Sequence, residues 1–141
     1  MPLEIGENAP SMSVVTDDGS LLDLSTLYAK GLVLVYFYPK ADTPGCTVQA
    51  CNLRDNITGL NKAGVTVIGV SADSVDAQAK FKKKYNLNFV LVADSERALI
   101  KAFGVDARQT FIVKDGKVAW RQLKATPKTQ AADALAALKG L

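Results

Sequence analysis

The chain has 141 residues, 48% of them hydrophobic and 22% charged, with a formal net charge of +3. These values fit one globular domain over residues 1–141 and exclude a disordered chain. The absence of histidine excludes a Ser-His-Asp or Cys-His hydrolase and removes the commonest metal ligand, so we expect no metal site. No apolar run reaches the roughly 18 residues of a membrane span, and the N-terminus lacks a signal-peptide pattern. We therefore expect a cytoplasmic protein that does not enter a membrane.

The first half of the chain predicts a small hairpin, a buried strand and a helix. Residues Ser13–Val15 and Leu21–Asp23 flank an Asp-Asp-Gly turn signal. The run Leu32–Tyr38 (LVLVYFY) is apolar on both faces, which is typical of a strand in the middle of a sheet covered by helices. Thr47–Lys62 follows with apolar residues near a helical period, which predicts one long helix.

The second half of the chain alternates strands with helices and closes with a hairpin and a helix. The predicted strands are Val65–Val70, Phe89–Ala93, Thr110–Val113 and Val118–Trp120, and the predicted helices are Val75–Tyr85, Glu96–Phe103 and Thr126–Leu138. This order predicts an α/β domain with a mixed sheet flanked by helices, although a small flavodoxin-like fold has a compatible order. The basic cluster Lys82–Lys84 is interpreted as a solvated helix face, so we expect no nucleic-acid binding.

Both cysteines follow the central strand, in the segment Pro39–Cys51 (PKADTPGCTVQAC). In a reducing compartment such cysteines are more often catalytic, free or metal-bound than structural. Cys46 falls at or just inside the first helical turn, where unpaired backbone N–H groups and the helix dipole favour an anion. This position favours a nucleophilic thiolate. Thr43 places a hydroxyl three residues upstream, and Pro44 restricts the loop. The alternative is that Cys46 is a small buried apolar residue.

Cys51 lies five residues after Cys46, and this spacing has a geometric consequence. On an ideal helix it corresponds to about 140° of rotation and about 7.5 Å of rise, which separates the Cα atoms by roughly 8–9 Å. A disulfide requires Cα atoms within about 7 Å. If the two thiols react together, the helix between them must unwind locally. The alternative is an inert Cys51 on the helix face.

Several segments together resemble the peroxiredoxins, and most closely their bacterioferritin comigratory (Q-type) branch. The matching segments are Tyr36–Cys51, Asn52–Asp55, Gly69–Ser74, Phe103–Val105 and Arg108–Val113. The resemblance covers nearly the whole chain and implies a thioredoxin-like fold with an N-terminal β-hairpin. Gln78 and Asn88 are departures, because many members have histidine and proline there.

The resemblance implies a two-cysteine peroxidase cycle. Cys46 matches the thiolate that attacks the peroxide O–O bond and becomes a sulfenic acid. Cys51 matches the resolving cysteine of members that form a disulfide within one chain. The implied substrates are hydrogen peroxide and organic hydroperoxides, and thioredoxin or a similar dithiol protein is the implied reductant. No dissociable cofactor is implied, and the resemblance favours a monomer or a weak dimer.

The resemblance also implies roles for the residues around the thiol. Thr43 matches the hydroxyl that orients the peroxide, and Arg108 matches the guanidinium that keeps the thiolate anionic. Pro39 matches the residue that shields the pocket, and Gly45 is assigned with it to substrate binding. These positions complete the predicted site.

Two other functions share parts of this pattern. A general thiol–disulfide oxidoreductase usually carries Cys-x-x-Cys, and the four residues between Cys46 and Cys51 argue against it. A redox-sensing or chaperone-like module whose helix unfolds on oxidation fits the cysteine spacing but does not require Thr43 or Arg108.

Overall fold

The computed structural model describes residues 1–141 as a five-stranded mixed sheet with helices on both faces and a separate two-stranded hairpin. The strands are β1 Ser13–Val15, β2 Leu21–Asp23, β3 Leu32–Phe37, β4 Val65–Ser71, β5 Val90–Ala93, β6 Gln109–Lys114 and β7 Lys117–Gln122. The helices are α1 Leu24–Lys30, α2 Pro44–Asp55, α3 Ile57–Lys62, α4 Val75–Tyr85, α5 Ala98–Phe103 and α6 Gln130–Leu138, and a 3-10 turn at Pro127–Thr129 precedes α6.

The sheet has the order β5-β4-β3-β6-β7, which confirms the prediction that β3 is central. β3 is parallel to β4 and antiparallel to β6. Because β6 is antiparallel, its first residue, Gln109, pairs with Phe37, the last residue of β3. Arg108 therefore lies at the sheet edge from which the loop to Cys46 departs.

Successive residues of β3 point to opposite faces of the sheet and enter two separate cores. The first core contains Val35 and Phe37 among 16 buried residues, which also come from α1, α5 and the hairpin. The second core contains Tyr36 and Cys46 among 16 buried residues, which also come from α2, α3, α4 and α6. The candidate nucleophile is therefore part of the second core.

The prediction of one long helix at Thr47–Lys62 is wrong at its start and its middle. The helix begins at Pro44, a residue type that suits the first helical position. It is divided at Asn56, where φ is −116° and ψ is 11°. The side-chain amide of Asn56 donates to the Asn52 carbonyl at 2.8 Å, while its backbone N–H donates to Leu53 three residues back. This competition from an Asn side chain separates α2 from α3.

Other differences lie at helix ends. Helix α1 was not predicted; the Asp23 carboxylate caps it by accepting from the Ser25 N–H. The predicted helix Glu96–Phe103 begins two residues later, because Arg97 adopts a left-handed conformation with φ of 62°. The predicted start of the last helix at Thr126 gives way to the 3-10 turn before α6. The predicted strand and hairpin positions are confirmed to within about two residues.

Candidate active site

Cys46 is the third residue of α2, which confirms the predicted position in the first helical turn. Its side chain is 1% exposed and packs in the second core. The first backbone N–H groups of a helix have no intrahelical partner, and they carry the positive end of the helix dipole. This environment stabilises a negative charge on the sulfur. Because the side chain is buried, only small reactants can reach the sulfur.

Arg108 brings a positive charge to the same sulfur. Its Nη1 lies 3.5 Å from Cys46 Sγ and 2.7 Å from the side-chain oxygen of Gln49. A hydrogen bond from a guanidinium to a thiolate is charge-assisted, so it strengthens when the sulfur is ionised. Arg108 and Cys46 are 62 positions apart in the sequence, and the antiparallel pairing of β3 with β6 brings them together.

Gly45 lies directly beneath the guanidinium. A Cβ atom at this position would stand 2.9 Å from Arg108 Nη2, which is closer than real Cβ contacts allow. The absence of a side chain at Gly45 therefore lets Arg108 approach the first turn of α2. This contact with Arg108 is a property of Gly45 that the sequence did not indicate.

Thr43 does not contact the thiol in this conformation. Its hydroxyl donates to the Lys40 carbonyl at 2.8 Å and so closes the loop on itself. Pro39 is exposed and lines a cavity of about 280 Å³ together with Tyr38 and Asp106. Cys46 is absent from the lining of this cavity. The structure thus places Thr43 and Pro39 in the loop before the thiol, but it does not join either of them to the sulfur.

The loop itself is held against α4. Asp42 has a left-handed backbone, with φ of 60°, and its carboxylate accepts from Tyr85 Oη at 2.7 Å and Lys84 Nζ at 2.9 Å. These two donors lower the pKa of Asp42 below its ordinary value. The N–H of Ala41 donates to the Asp73 carboxylate at 2.8 Å. The loop before α2 is therefore held to α4 through Asp42 and to Asp73 through the backbone of Ala41.

Cys51 is half-buried on the same continuous helix as Cys46, and both thiols are free. With α2 intact from Pro44 to Asp55, the ideal separation of the two Cα atoms is roughly 8–9 Å. A disulfide between them is excluded in this conformation. The structure therefore shows the reduced, helical form of the segment.

Gln49 is the member of the site that the sequence reasoning missed. It is 0% exposed, accepts from Arg108, and donates from Nε2 to the side-chain oxygen of Gln130 at 2.8 Å. A signal was present, because Gln49 lies three residues after Cys46 on the helix face that also carries Leu53 into the core. A polar side chain in such a stripe requires a hydrogen-bond partner.

None of the helices combines the length and apolar character needed to cross a bilayer. No group of three or more metal-ligating side chains lies together. The site consists of one buried thiol, one guanidinium and a helix start, a combination suited to nucleophilic sulfur chemistry.

Comparison with known proteins defines the class. The AhpC/TSA family model matches residues 5–121, so the chain belongs to the AhpC/TSA family. Peroxiredoxin Bcp of Escherichia coli is 46% identical over 113 residues, covering 80% of this chain and 72% of the relative. Peroxiredoxin Bcp of Bacillus subtilis is 39% identical over an alignment that covers 100% of this chain and 98% of the relative.

A solved structure agrees with these relatives. The bacterioferritin comigratory protein of Xanthomonas campestris, described in a study of its alkyl peroxide reduction activity, superposes with a TM-score of 0.90. It has 29% sequence identity, and the superposition covers 97% of this chain and 98% of that one. The thioredoxin-like fold is thereby confirmed. Within its family the chain is a peroxiredoxin of the Bcp branch, and its activity is that of a thiol peroxidase.

Proposed function

We propose that Cys46 is the peroxidatic cysteine of this enzyme. Its thiolate attacks one oxygen of the O–O bond, the sulfur is oxidised to a sulfenic acid, and the other oxygen leaves with a proton as water or an alcohol. The observation that supports this role most directly is the Arg108 guanidinium 3.5 Å from the buried sulfur. In this position it stabilises both the thiolate and the charge that develops on the leaving oxygen.

Cys51 is the proposed resolving cysteine. Its thiol attacks the sulfenic sulfur, a disulfide with Cys46 forms, and water leaves. Because the two residues stand too far apart on intact α2, this step follows local unwinding of the helix. A dithiol protein of the thioredoxin type then reduces the disulfide and becomes a disulfide itself. The cycle consumes one peroxide and one dithiol and needs no bound cofactor.

The remaining loop residues are assigned to peroxide binding. The Thr43 hydroxyl turns from the Lys40 carbonyl to the peroxide, and Pro39 and Gly45 complete the proposed peroxide-binding site. Alkyl hydroperoxides are included with hydrogen peroxide as proposed substrates, because the Xanthomonas relative is described by its alkyl peroxide reduction. The proposed setting is the cytoplasm, where thioredoxin keeps thiols reduced. The proposed assembly is a monomer or a weak dimer, which sedimentation over a concentration series can test.

Two serine variants test the cysteine roles. Cys46→Ser is expected to abolish peroxide consumption. Cys51→Ser is expected to consume one equivalent of peroxide and then stop, because thioredoxin has no disulfide to reduce. Stopped-flow kinetics with hydrogen peroxide and with a bulky organic hydroperoxide measure both reactions. Full thioredoxin-coupled turnover in Cys51→Ser would refute the resolving role.

Replacement of the guanidinium tests the remaining assignment. Arg108→Ala is expected to slow peroxide reduction by about 10²-fold or more, as for loss of a transition-state donor. The fold should persist, since Arg108 lies at a strand start outside both cores. Unchanged peroxide kinetics in this variant would instead favour the redox-sensing function.

A further inference from the structure

A chain of side-chain hydrogen bonds connects the C-terminal helix to the catalytic guanidinium. Arg108 Nη1 donates to Gln49 Oε1 at 2.7 Å, and Gln49 Nε2 donates to Gln130 Oε1 at 2.8 Å. Gln130 Nε2 donates to Gln122 Oε1 at 2.9 Å, and Gln122 Nε2 donates to Asp133 Oδ2 at 2.9 Å. The chain thus joins α2, α6 and β7 through three consecutive amides.

The two ends of this chain determine its direction. A guanidinium can only donate hydrogen bonds, and an ionised carboxylate can only accept them. Each of the three amides must therefore present its oxygen toward Arg108 and its NH₂ group toward Asp133. Two hydroxyl groups add a second donor to acceptors of this chain: Thr110 donates to the Gln130 oxygen at 2.6 Å, and Thr129 donates to the Asp133 carboxylate at 2.9 Å.

Burial opposes reversal of the amide groups in the inner part of this hydrogen-bond chain. Gln49 and Gln130 are both 0% exposed, so water is not available to replace a lost partner. Reversal of either amide would bring two donors or two acceptors face to face in the interior, which is unfavourable. Gln49 is consequently held with its oxygen on Arg108 Nη1, the same nitrogen that lies 3.5 Å from Cys46 Sγ.

We propose that Gln130 is a positioning residue for the peroxidase reaction. It acts through Gln49, whose fixed oxygen holds the Arg108 guanidinium against the Cys46 sulfur, while Gln122 and Asp133 set the direction of the chain. The C-terminal helix therefore contributes to catalysis although none of its residues touches the thiol. This inference rests on the proposed roles of Cys46 and Arg108.

A double-mutant cycle tests the inference. Gln130→Met keeps the length of the side chain but removes the acceptor for Gln49, and Gln49→Met removes the intervening link. Gln130→Met is expected to lower the rate constant for Cys46 oxidation by hydrogen peroxide about tenfold, less than the 10²–10³ for removal of a donor itself. In the Gln49→Met background, Gln130→Met is expected to cause no further loss, because the two residues act in series.

A second measurement separates positioning from structural damage. Alkylation of Cys46 by iodoacetamide, followed over pH in the Cys51→Ser background, reports how readily the thiolate forms. Gln130→Met is expected to move the half-maximal rate to higher pH. Ala136→Gly destabilises the same helix at an exposed position, and it should lower the melting temperature while leaving the pH profile in place.

The outcomes are distinct. Loss of the peroxide reaction in the Cys46→Ser control supports the proposed function, whether or not Gln130→Met changes the rate. A Gln130→Met variant with the rate and pH profile of Ala136→Gly, or with losses that multiply in the double variant, overturns the inference alone. If Gln130→Met does not fold, Gln122→Met at a half-buried position decides the question. A lowered rate of Cys46 oxidation by peroxide in Gln122→Met then supports the inference, and an unchanged rate overturns it.

Discussion

The proposed unwinding of α2 predicts that weakening its contact with α6 accelerates disulfide formation. Asn52 lies on α2 between Cys51 and the end of the helix, and its side chain reaches α6. Its Nδ2 donates to the Lys128 carbonyl at 3.0 Å, and its Oδ1 accepts from the Ala131 N–H at 2.8 Å. The second bond supplies a cap for α6 that the side chain of Thr129 does not provide. Both bonds exist only while α2 is folded.

The magnitude follows from these two bonds. Each hydrogen bond contributes about 1 kcal/mol of net stability, so Asn52→Ala removes about 2 kcal/mol from the folded form of α2. Because alanine has a better helix propensity than asparagine, the substitution also stabilises the folded form of α2 by about 0.5 kcal/mol. The net shift of about 1.5 kcal/mol increases the unwound population, and with it the rate of resolution, by about tenfold.

The rate of resolution can be measured directly. After one equivalent of peroxide, samples are quenched with an alkylating reagent, and intact mass separates sulfenic acid, disulfide and sulfinic acid. Asn52→Ala is expected to form the disulfide about tenfold faster than the natural protein. The sulfinic fraction per turnover should fall by a similar factor, because over-oxidation competes with resolution.

Asn61→Ala is the matched control for this experiment. Asn61 is exposed on α3, so the same substitution there changes helix propensity without removing a contact between α2 and α6. Its resolution rate should stay close to that of the natural protein. If Asn52→Ala lowers the melting temperature but resolves no faster than Asn61→Ala, unwinding of α2 is not the step that limits disulfide formation.

Two further predictions concern the loop and the first turn. Gly45→Ala should displace the flexible Arg108 side chain and slow peroxide reduction about tenfold or more, while Gly59→Ala, whose Cβ meets nothing within 4 Å, should leave stopped-flow rates unchanged. Asp42→Asn keeps a residue type that tolerates the left-handed backbone. The substitution removes the carboxylate, whose pKa is lowered by Tyr85 and Lys84. Because the pKa of Asp42 is lower in the folded state than its ordinary value of 3.8, the ionised carboxylate stabilises the fold at pH values above 3.8. This stabilisation is lost as the pH falls below 3.8 and the carboxylate becomes protonated. Thermal melts should therefore show a difference between the two proteins at pH 7 that shrinks toward pH 3; a difference that grows would contradict this assignment.

Much of the fold could be predicted because its signals are local. The two-sided apolar run of β3 indicated a central strand, and the Pro-Gly-Cys segment after it indicated a helix start at Cys46. The break at Asn56 could not be predicted, because it depends on a side chain competing with the backbone for one carbonyl. Helix α1 was missed because its seven residues are too few for a clear helical period.

The candidate site shows where sequence reasoning reaches its limit. The spacing of Arg108 and Cys46 in the sequence does not predict that they lie together. The antiparallel pairing of β6 with β3 brings them together, and only the family resemblance indicated Arg108 as a site residue. Proximity in sequence was also a poor guide for Thr43, which bonds to a carbonyl of its own loop. Gln49 had a visible signal in its buried position, but its partners come from distant segments of the chain.

The division of the interior into two cores determines how much of the molecule the proposed unwinding of α2 disturbs. The helix that is proposed to unwind covers only the second core, while the first core lies behind the sheet and shares no side chain with it. Local unfolding can therefore remain a separate low-energy event, well below the free energy of global unfolding. A catalyst built on a single core would expose most of its apolar interior whenever its two sulfurs met. Here the sheet separates the two cores, so the proposed unwinding of α2 exposes apolar side chains on one face of the sheet only.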